Sequence, residues 1–260
     1  MQTANFWPLV HLGVLLTLAT GCAGTYTSAE DAGLAAPDSG RDGGSGDAGQ
    51  GCLFCDNFDD GPPSLASRWD SLTELAGPMD LDGNESVSPP RALRLRLAAK
   101  TGLSGESVSA LRKSIDVSTA NRISIDLDYR GDFSNSFTEV DPIDVVIDPP
   151  PPALARATFA LALIGTSPQL QRYGNNGVDS ISVNTPLVLS YTGWHHLKFK
   201  LAMENGAISA TLTCDGIESK PLAFPASSWG KLVLRLGAQF TENAVASTLR
   251  FDNVVVTRTQ

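Results

Sequence analysis

The feature that most constrains the fold is a strict alternation of apolar and polar residues, which recurs along the C-terminal two thirds of the chain. Leu93, Leu95 and Leu97 alternate with Arg94 and Arg96. A period of two puts every second side chain on one face of an extended strand, so such a segment is a strand with one buried face. Equivalent patterns occur in residues 123–129, 195–201, 208–214, 232–236 and 249–255.

Residues 157–164 differ, because they form an uninterrupted apolar run that predicts a central strand covered on both faces. Turn signals separate the segments, among them Asn205-Gly206 and Asp215-Gly216, which favour hairpin loops. No long window shows helical periodicity. We therefore expect about ten to thirteen short strands in an all-β sandwich or barrel.

The first 21 residues have the features of a lipoprotein signal peptide. Residues 9–19 are apolar apart from His11 and Thr17, a segment too short to span a bilayer. The following Ala19-Thr20-Gly21-Cys22 resembles a bacterial lipobox, which implies cleavage before Cys22 and lipid on that cysteine. Two features depart from the pattern: Ala19 stands where Leu is usual, and the first eight residues carry no Lys or Arg. Ordinary secretion without lipid is the alternative.

Residues 22–51 differ in composition from the rest of the chain. Gly, Ala, Ser and Asp dominate, and almost nothing is large and apolar. Such a segment buries too little surface to offset its conformational entropy, so we expect a disordered acidic linker. The predicted organisation is a signal peptide (1–21), a lipidated cysteine with its linker (22–51) and one β-sandwich domain (52–260). We expect an exported protein anchored by lipid to the cell envelope, at the outer membrane.

The net charge is −9 at pH 7 and the pI is about 4.7. This acidity argues against nucleic acid or an anionic membrane surface as a partner. No second apolar run approaches the length of a membrane span, so we expect membrane contact through the lipid alone. We expect the domain to be a monomer.

Four cysteines are present, and lipid on Cys22 leaves Cys52, Cys55 and Cys214. The Cys52-x-x-Cys55 spacing opens the domain and is not placed at a strand-to-helix turn, which disfavours redox chemistry. A structural disulfide is expected. Cys214 shares the apolar face of its strand, so it points inward. We favour a bridge from Cys55 (or Cys52) to Cys214, and a local Cys52–Cys55 bridge is the alternative that the sequence leaves open.

Two motifs resemble the ends of bacterial concanavalin A-like, or laminin-G-like, domains. They are Phe54–Gly61 (FCDNFDDG) followed by Trp69, and Arg250–Val256 (RFDNVVV), with YTGWHHL at residues 191–197 between them. The resemblance implies a jelly roll of two antiparallel sheets. It leaves the function open, since this superfamily contains lectins, carbohydrate-binding modules, glycosidases, lyases and adhesion domains.

Residues 139–144 (EVDPID) echo the Glu-x-Asp-x-x-Glu signature of laminarinase-like glycoside hydrolases on this fold. Glu139 and Asp144 are therefore the catalytic candidates, because retaining cleavage uses two carboxyl groups about 5–5.5 Å apart. However, Pro142 interrupts the strand, and positions five apart on a regular strand face opposite sides. We expect an acidic edge strand here, and no catalysis.

A sugar-binding face uses aromatic rings for stacking and polar groups for hydroxyls. The candidates are Trp194, Tyr173, Asn175 and Asn176, with Tyr129, Trp229 and Arg130 as further ones. Among the histidines, we expect His195 to face the core and His196 to face the opposite side.

Asp56 and Asp252 form a candidate site for a stabilising calcium ion, because in a jelly roll the first and last strands commonly lie side by side. The alternative is that both carboxylates cap turns. No cofactor is required by the sequence.

We expect a lipid-anchored, lectin-like binding module for glycan or another surface polymer. A glycan-cleaving enzyme, either hydrolase or lyase, and a structural or adhesive envelope protein are the alternatives.

The lipid anchor gives the first testable prediction. Mass spectrometry of the mature protein is expected to find an N-terminus at Cys22 that carries the mass of added acyl chains. A Cys22→Ala variant is expected to lose this mass and to leave the membrane fraction. An unmodified Cys22, or cleavage at another position, would end the lipoprotein hypothesis.

Overall fold

The alternating segments of the sequence form β-strands in the structure, which is a computed structural model. It describes residues 52–59, 65, 67–99, 108–133, 139–150, 156–164, 167–173, 181–184, 193–239 and 246–259. The predicted signal peptide, Cys22 and the linker lie outside the described residues. Among the residues described, no helix is long and apolar enough to cross a membrane.

Sixteen strands are present in the described part of the chain. They are β1 (Cys52–Asp56), β2 (Ser71–Glu74), β3 (Met79–Asp82), β4 (Ala92–Leu97), β5 (Val108–Asp116), β6 (Arg122–Phe133), β7 (Glu139–Asp148), β8 (Ala157–Ile164), β9 (Ser167–Tyr173), β10 (Ile181–Asn184), β11 (His195–Glu204), β12 (Ala207–Cys214), β13 (Ile217–Glu218), β14 (Leu222–Pro225), β15 (Lys231–Gln239) and β16 (Ser247–Thr259).

These strands form two antiparallel sheets. Sheet A has nine strands in the order β13-β12-β11-β6-β16-β4-β3, with β1 paired to β16 and β14 paired to β12. Sheet B has seven strands in the order β10-β9-β8-β7-β15-β5-β2. The protein is therefore an all-β, two-sheet jelly-roll sandwich, as expected. The expected strand number was too low, because strands such as β13 and β14 have two and four residues, too few to show alternation.

The core lies between the sheets and is built from the apolar half of each alternating strand. In β11, Leu197, Phe199 and Leu201 are buried, whereas His196 before them and Lys200 between Phe199 and Leu201 are exposed. Each such Leu or Phe contributes about 1.5–3 kcal/mol when it is withdrawn from water. Summed over both sheets, this burial energy makes the alternation of apolar and polar residues the main determinant of the fold.

The first and last strands lie side by side, since β1 pairs with β16 along Cys52–Asp56. A bulge between Asp252 and Val255 shifts the register of β16 against β6, and Asn253 there has a φ of 50°. After the bulge Val254 and Val256 are the buried residues. The period-two pattern predicted over residues 249–255 therefore does not continue through Asn253 and Val255, because the bulge reverses the alternation.

The favoured bridge from Cys55 (or Cys52) to Cys214 is also wrong. The structure joins Cys52 to Cys55, and Cys214 is a buried free thiol. Cys214 ends β12, which β11, β6 and β16 separate from β1 within sheet A. Four strand spacings amount to about 19 Å, far more than the roughly 7 Å that a disulfide spans between Cα atoms.

Gly237 in β15 gives a stability prediction. A Cβ atom there would lie 1.8 Å from the carbonyl oxygen of Ser109 on the neighbouring strand, at a φ of 156°. We expect Gly237→Ala to lower the free energy of unfolding by about 2–4 kcal/mol, from overpacking and backbone strain. Urea denaturation measures the change.

Gly206 is the matched control, because its φ is 74° and a Cβ there meets nothing within 4 Å. Gly206→Ala isolates the cost of the positive φ, about 1–2 kcal/mol. If both variants lost the same free energy of unfolding, the close approach of Gly237 to the Ser109 carbonyl would be contradicted.

Candidate functional site

The acidic segment around Pro142 lies in β7, the central strand of sheet B, and not at an edge. Its partner residues on β8 are Leu163 for Val140 and then Leu161 for Ile143, so Asp141 and Pro142 together face a single residue of β8. Such a bulge accommodates a proline inside a sheet, because the bulged residue needs no ladder donor. The expected acidic edge strand is therefore wrong.

The bulge also decides which side chains of β7 face outward. Val140 and Ile143 are both in the core although they are three positions apart. Asp144 consequently faces outward, away from the sandwich interior. The side chain of Glu139 lies outside the described residues, so the expectation that Glu139 and Asp144 are not a catalytic pair stays a prediction.

Asp144 belongs to a row of residues that crosses sheet B at right angles to the strands. Each member is directly paired with the next through the register of adjacent strands. From β9 to β5 this polar row consists of Gln171, Ala160, Asp144, Arg235 and Arg112. Four strand spacings give it a length of about 19 Å.

The centre of the polar row is an ion pair. Arg235 Nη2 contacts Asp144 Oδ2, and Asp144 is 2% exposed. Asp144 Oδ1 is buried without a hydrogen-bond partner among the described residues, so it keeps acceptor capacity only for a group that reaches it inside the fold. Arg112 is exposed, and no ion pair or side-chain hydrogen bond holds its guanidinium within the described part of the chain. Among the described residues, Arg112 is therefore the cation of the row that faces solvent without a counter-ion.

A second row of outward residues runs beside the polar row and begins with Tyr173. It continues through Thr158, Val146, Val233 and Ser114 on successive strands. The Tyr173 hydroxyl donates to Gln171 Oε1 and lies 3.4 Å from Asp141 Oδ2. The phenol is thus held at the end of the polar row.

Small residues form the floor between these side chains. Ala160 and Ala162 face outward on β8 but have no exposed surface. Ala160 lies between Gln171 and Asp144, whose longer side chains rise on either side. The prediction that residues 157–164 are covered on both faces is confirmed for Phe159 to Leu163, whereas Thr158 is half-buried and the side chain of Ile164 lies outside the described residues. The outer face of sheet B is recessed at this point.

The polar row was not predicted as a unit from the sequence, although its strands carry a signal. Gln169, Gln171 and Tyr173 alternate in β9, which places three polar side chains on one face. Arg235 is a lone charge within an otherwise apolar strand segment. Neither signal alone indicates which strands are neighbours.

The predicted ligand-binding residues are not all brought together. Tyr173 lies in sheet B, whereas Trp194 is half-buried just before β11 of sheet A. Asn175 and Asn176 lie outside the described residues. Tyr129 and Trp229, two of the further candidates, are core residues, 1% and 3% exposed, so neither ring is available for stacking on a sugar.

Arg130 pairs with Glu85 and Asp132. It lies on β6 in sheet A, so it is not part of the polar row.

The two predicted calcium ligands are surrounded by protein donors. Asp56 accepts hydrogen bonds from Trp69 Nε1 at 2.6 Å and Phe58 N at 2.8 Å, and it pairs with Arg68. Asp252 accepts from the backbone N–H groups of Val87, Ser88 and Asn253, and from the Ser88 hydroxyl.

Both carboxylates thus hold turns, as the alternative expected, and burial raises the pKa of Asp252. A calcium ion at Asp56 and Asp252 stays a prediction and would have to displace these donors.

The two histidines face opposite sides of sheet A, as predicted. His196 is exposed and its Nδ1 lies 3.1 Å from Asp128 Oδ1. His195 is buried, and its Nδ1 lies 2.6 Å from Asp215 Oδ2. Burial raises the pKa of the neighbouring Cys214 thiol to about 12, and Asp215 adds to the shift. The thiol is therefore protonated at neutral pH, which excludes a free thiolate nucleophile there.

No family model matches the chain, and no curated protein matches it. The fold is similar to that of endo-β-1,4-glucuronan lyase from the fungus Trichoderma reesei. The TM-score is 0.59 at 13% identity, over 80% of this chain and 96% of that one.

Alginate lyase vAL-1 from Chlorella virus gives a TM-score of 0.54 at 11% identity, over 76% of this chain and 96% of that one. A legume lectin-like domain from Entamoeba histolytica gives 0.50 at 7% identity, over 80% and 98%. Likeness at these identities shows the fold alone. The chain is a jelly-roll sandwich, consistent with the expected concanavalin A-like fold.

The ion pair in the polar row gives a testable prediction. Arg235→Met leaves the buried Asp144 without its counter-ion, so we expect the free energy of unfolding to fall by about 3 kcal/mol. The double variant Asp144→Leu, Arg235→Met removes both charges and is expected to recover to within about 1 kcal/mol of the original protein. Urea denaturation of the three proteins measures both values.

Arg112→Met is the matched control on the adjacent strand, because Arg112 is exposed and has no ion pair among the described residues. We expect this variant to lower the free energy of unfolding by less than about 0.5 kcal/mol. A double variant as unstable as Arg235→Met would show that the ion pair is not the source of the loss.

Proposed function

We propose that this domain binds a polysaccharide along the polar row of sheet B. The observation that carries the proposal is the exposed Arg112 guanidinium beside the buried Asp144–Arg235 pair. Together with Gln171 they align a cation, a carboxylate and an amide over several strands. A row of this kind suits an extended polymer with repeating hydroxyl groups better than a compact ligand.

The charges of the row favour a polysaccharide that carries carboxylates. Asp144 already neutralises Arg235, which leaves Arg112 to attract a ligand anion. A guanidinium binds a carboxylate through two parallel hydrogen bonds, a geometry that Lys does not offer. Two of the similar structures are named as lyases of glucuronan and alginate, and the third is lectin-like. Their names support a polysaccharide ligand for this fold.

The predicted anchor gives this binding a location. Lipid on Cys22 would hold the domain at the cell envelope, on the outer membrane, with residues 22–51 as the spacer. A spacer of some thirty residues reaches on the order of 30 Å from its anchor. The proposed protein is a monomer that captures polymer near the membrane surface, and it is a secreted binding protein if Cys22 is not lipidated.

A polysaccharide lyase is the second candidate, and the position of the Tyr173 hydroxyl favours it over a hydrolase. Retaining hydrolysis needs two cooperating carboxyl groups, and Asp144 is engaged by Arg235. Elimination instead needs a group that removes a proton next to a sugar carboxylate, and a cation that stabilises the resulting charge. Tyr173 and Arg112 are outward-facing groups of these two kinds, but they lie four strands apart, so a lyase would need a cation closer to Tyr173 than Arg112 is.

Binding is tested with the full chain on alginate and glucuronan, with dextran as an uncharged polymer. We expect binding to the two acidic polymers that weakens with added salt, since exposed charges are screened. Arg112→Ala is expected to weaken it by about tenfold, or 1.4 kcal/mol. Isothermal titration calorimetry provides the affinities.

Arg122→Ala is the control, because Arg122 is an exposed arginine of sheet A that pairs with Glu204. It is expected to leave the affinity unchanged. Equal weakening by both variants would indicate nonspecific charge attraction, and an absence of binding to every polymer would favour a structural envelope protein.

The same samples distinguish binding from cleavage. Elimination breaks the glycosidic C–O bond and leaves a conjugated double bond, which absorbs in the ultraviolet. A growing absorbance that Tyr173→Phe abolishes would establish the lyase. Stable absorbance with intact affinity supports the binding module.

A further inference from the structure

Three side chains of different ligand types meet at the end of the β11–β12 hairpin in sheet A. They are His195, Cys214 and Asp215, and their ligand atoms all lie within 4.8 Å of one another. We propose that these residues form a binding site for a divalent transition-metal ion of the zinc class. The site is separate from the polar row, which belongs to the other sheet.

The hairpin brings the three residues together through ordinary strand register. Leu197 is the partner of Cys214, and His195 lies two positions before Leu197 on the same face of β11. Asp215 opens the next turn with a φ of 48°, and its N–H donates to the carbonyl of His196. This turn directs the Asp215 carboxylate back to His195 Nδ1, at 2.6 Å.

The donor set selects the class of metal. One imidazole nitrogen, one carboxylate oxygen and one cysteine sulfur suit zinc, whereas calcium and magnesium prefer oxygen ligands alone. Metal binding displaces the proton of the Cys214 thiol, so the thiolate forms only with the ion in place. Ligand atoms around tetrahedral zinc lie about 3.3–3.8 Å apart, given bonds of about 2.0–2.3 Å. The cluster reaches this geometry by adjustments of about 1 Å.

The burial of the three residues leaves a path for the ion. His195 and Cys214 are buried, and the side chain of Asp215 is 47% exposed. Three protein ligands with one side toward solvent leave the fourth position to water, as in open zinc sites. Cys214 has no disulfide partner, since the other two cysteines of the described domain bond to each other. A ligand role would explain an unpaired thiol beside a histidine and a carboxylate.

The experiment uses the full chain with Cys22→Ser in every sample, so that Cys214 is the single thiol. The protein is freed of metal by a chelator and titrated with Co²⁺. We expect one equivalent to bind with a sulfur-to-cobalt charge-transfer band in the near ultraviolet, and Zn²⁺ to abolish the band by displacing Co²⁺. Added Zn²⁺ is also expected to raise the Tm.

Variants test each ligand. Cys214→Ser is expected to lose the charge-transfer band, and His195→Gln and Asp215→Asn to weaken Co²⁺ binding by about tenfold or more. His196→Gln is the matched control, because His196 is the adjacent exposed histidine paired with Asp128. It is expected to leave the band and the affinity unchanged.

Two results would overturn the proposal. One is a protein that binds no Co²⁺ with a sulfur band and whose Tm does not respond to Zn²⁺. The other is loss of binding in His196→Gln with retention in His195→Gln, which would place the metal on the outer face. The cobalt band and the Tm response to Zn²⁺ are both measured with His195, Cys214 and Asp215 intact. They therefore decide the question even if a Cys214 variant fails to fold.

Discussion

The outer face of sheet B depends on the bulge at Asp141 and Pro142. A proline cannot donate a hydrogen bond, so β7 can run through the centre of a sheet only if Pro142 leaves the ladder. The extra residue returns Ile143 to the core and turns Asp144 outward. Because Pro142 lacks an N–H group, Asp144, and not Ile143, is the residue of β7 that is paired with Arg235.

The contrast between the two outer faces argues for sheet B as the functional surface. In sheet A, charged residues satisfy one another: Arg94 pairs with Asp80, and Lys198 with Asp126. Such exposed pairs contribute little to stability and present no free charge. In sheet B, Arg112 has no such partner among the described residues, although the chain carries a net charge of −9. An arginine without a partner among the described residues, beside a buried ion pair, is the arrangement that the proposed ligand anion would complete.

The sequence was sufficient for the longer strands, because alternation is a local property that such a strand carries by itself. Leu93, Leu95 and Leu97 predict a strand whatever lies beside them. The sequence was insufficient wherever a bulge reverses the alternation, as at Val254, or where a residue's partner is far along the chain. The polar row is of the second kind, since only the order of the strands places Arg112 and Gln171 in the same row. The free thiol of Cys214 has the same origin, because three strands separate it from β1.

The position of Tyr173 shows why binding and cleavage are close alternatives on this fold. Its hydroxyl is held between Gln171 and Asp141 at one end of the polar row, while Arg112 lies at the other end. In a binding module, the phenol orients a sugar hydroxyl and the arginine attracts a carboxylate. In a lyase, the same two groups must act on one sugar residue, so the distance between them must be short. Three strands lie between β9 and β5, which spreads the two groups over about 19 Å and favours contacts with successive sugar units over chemistry at one.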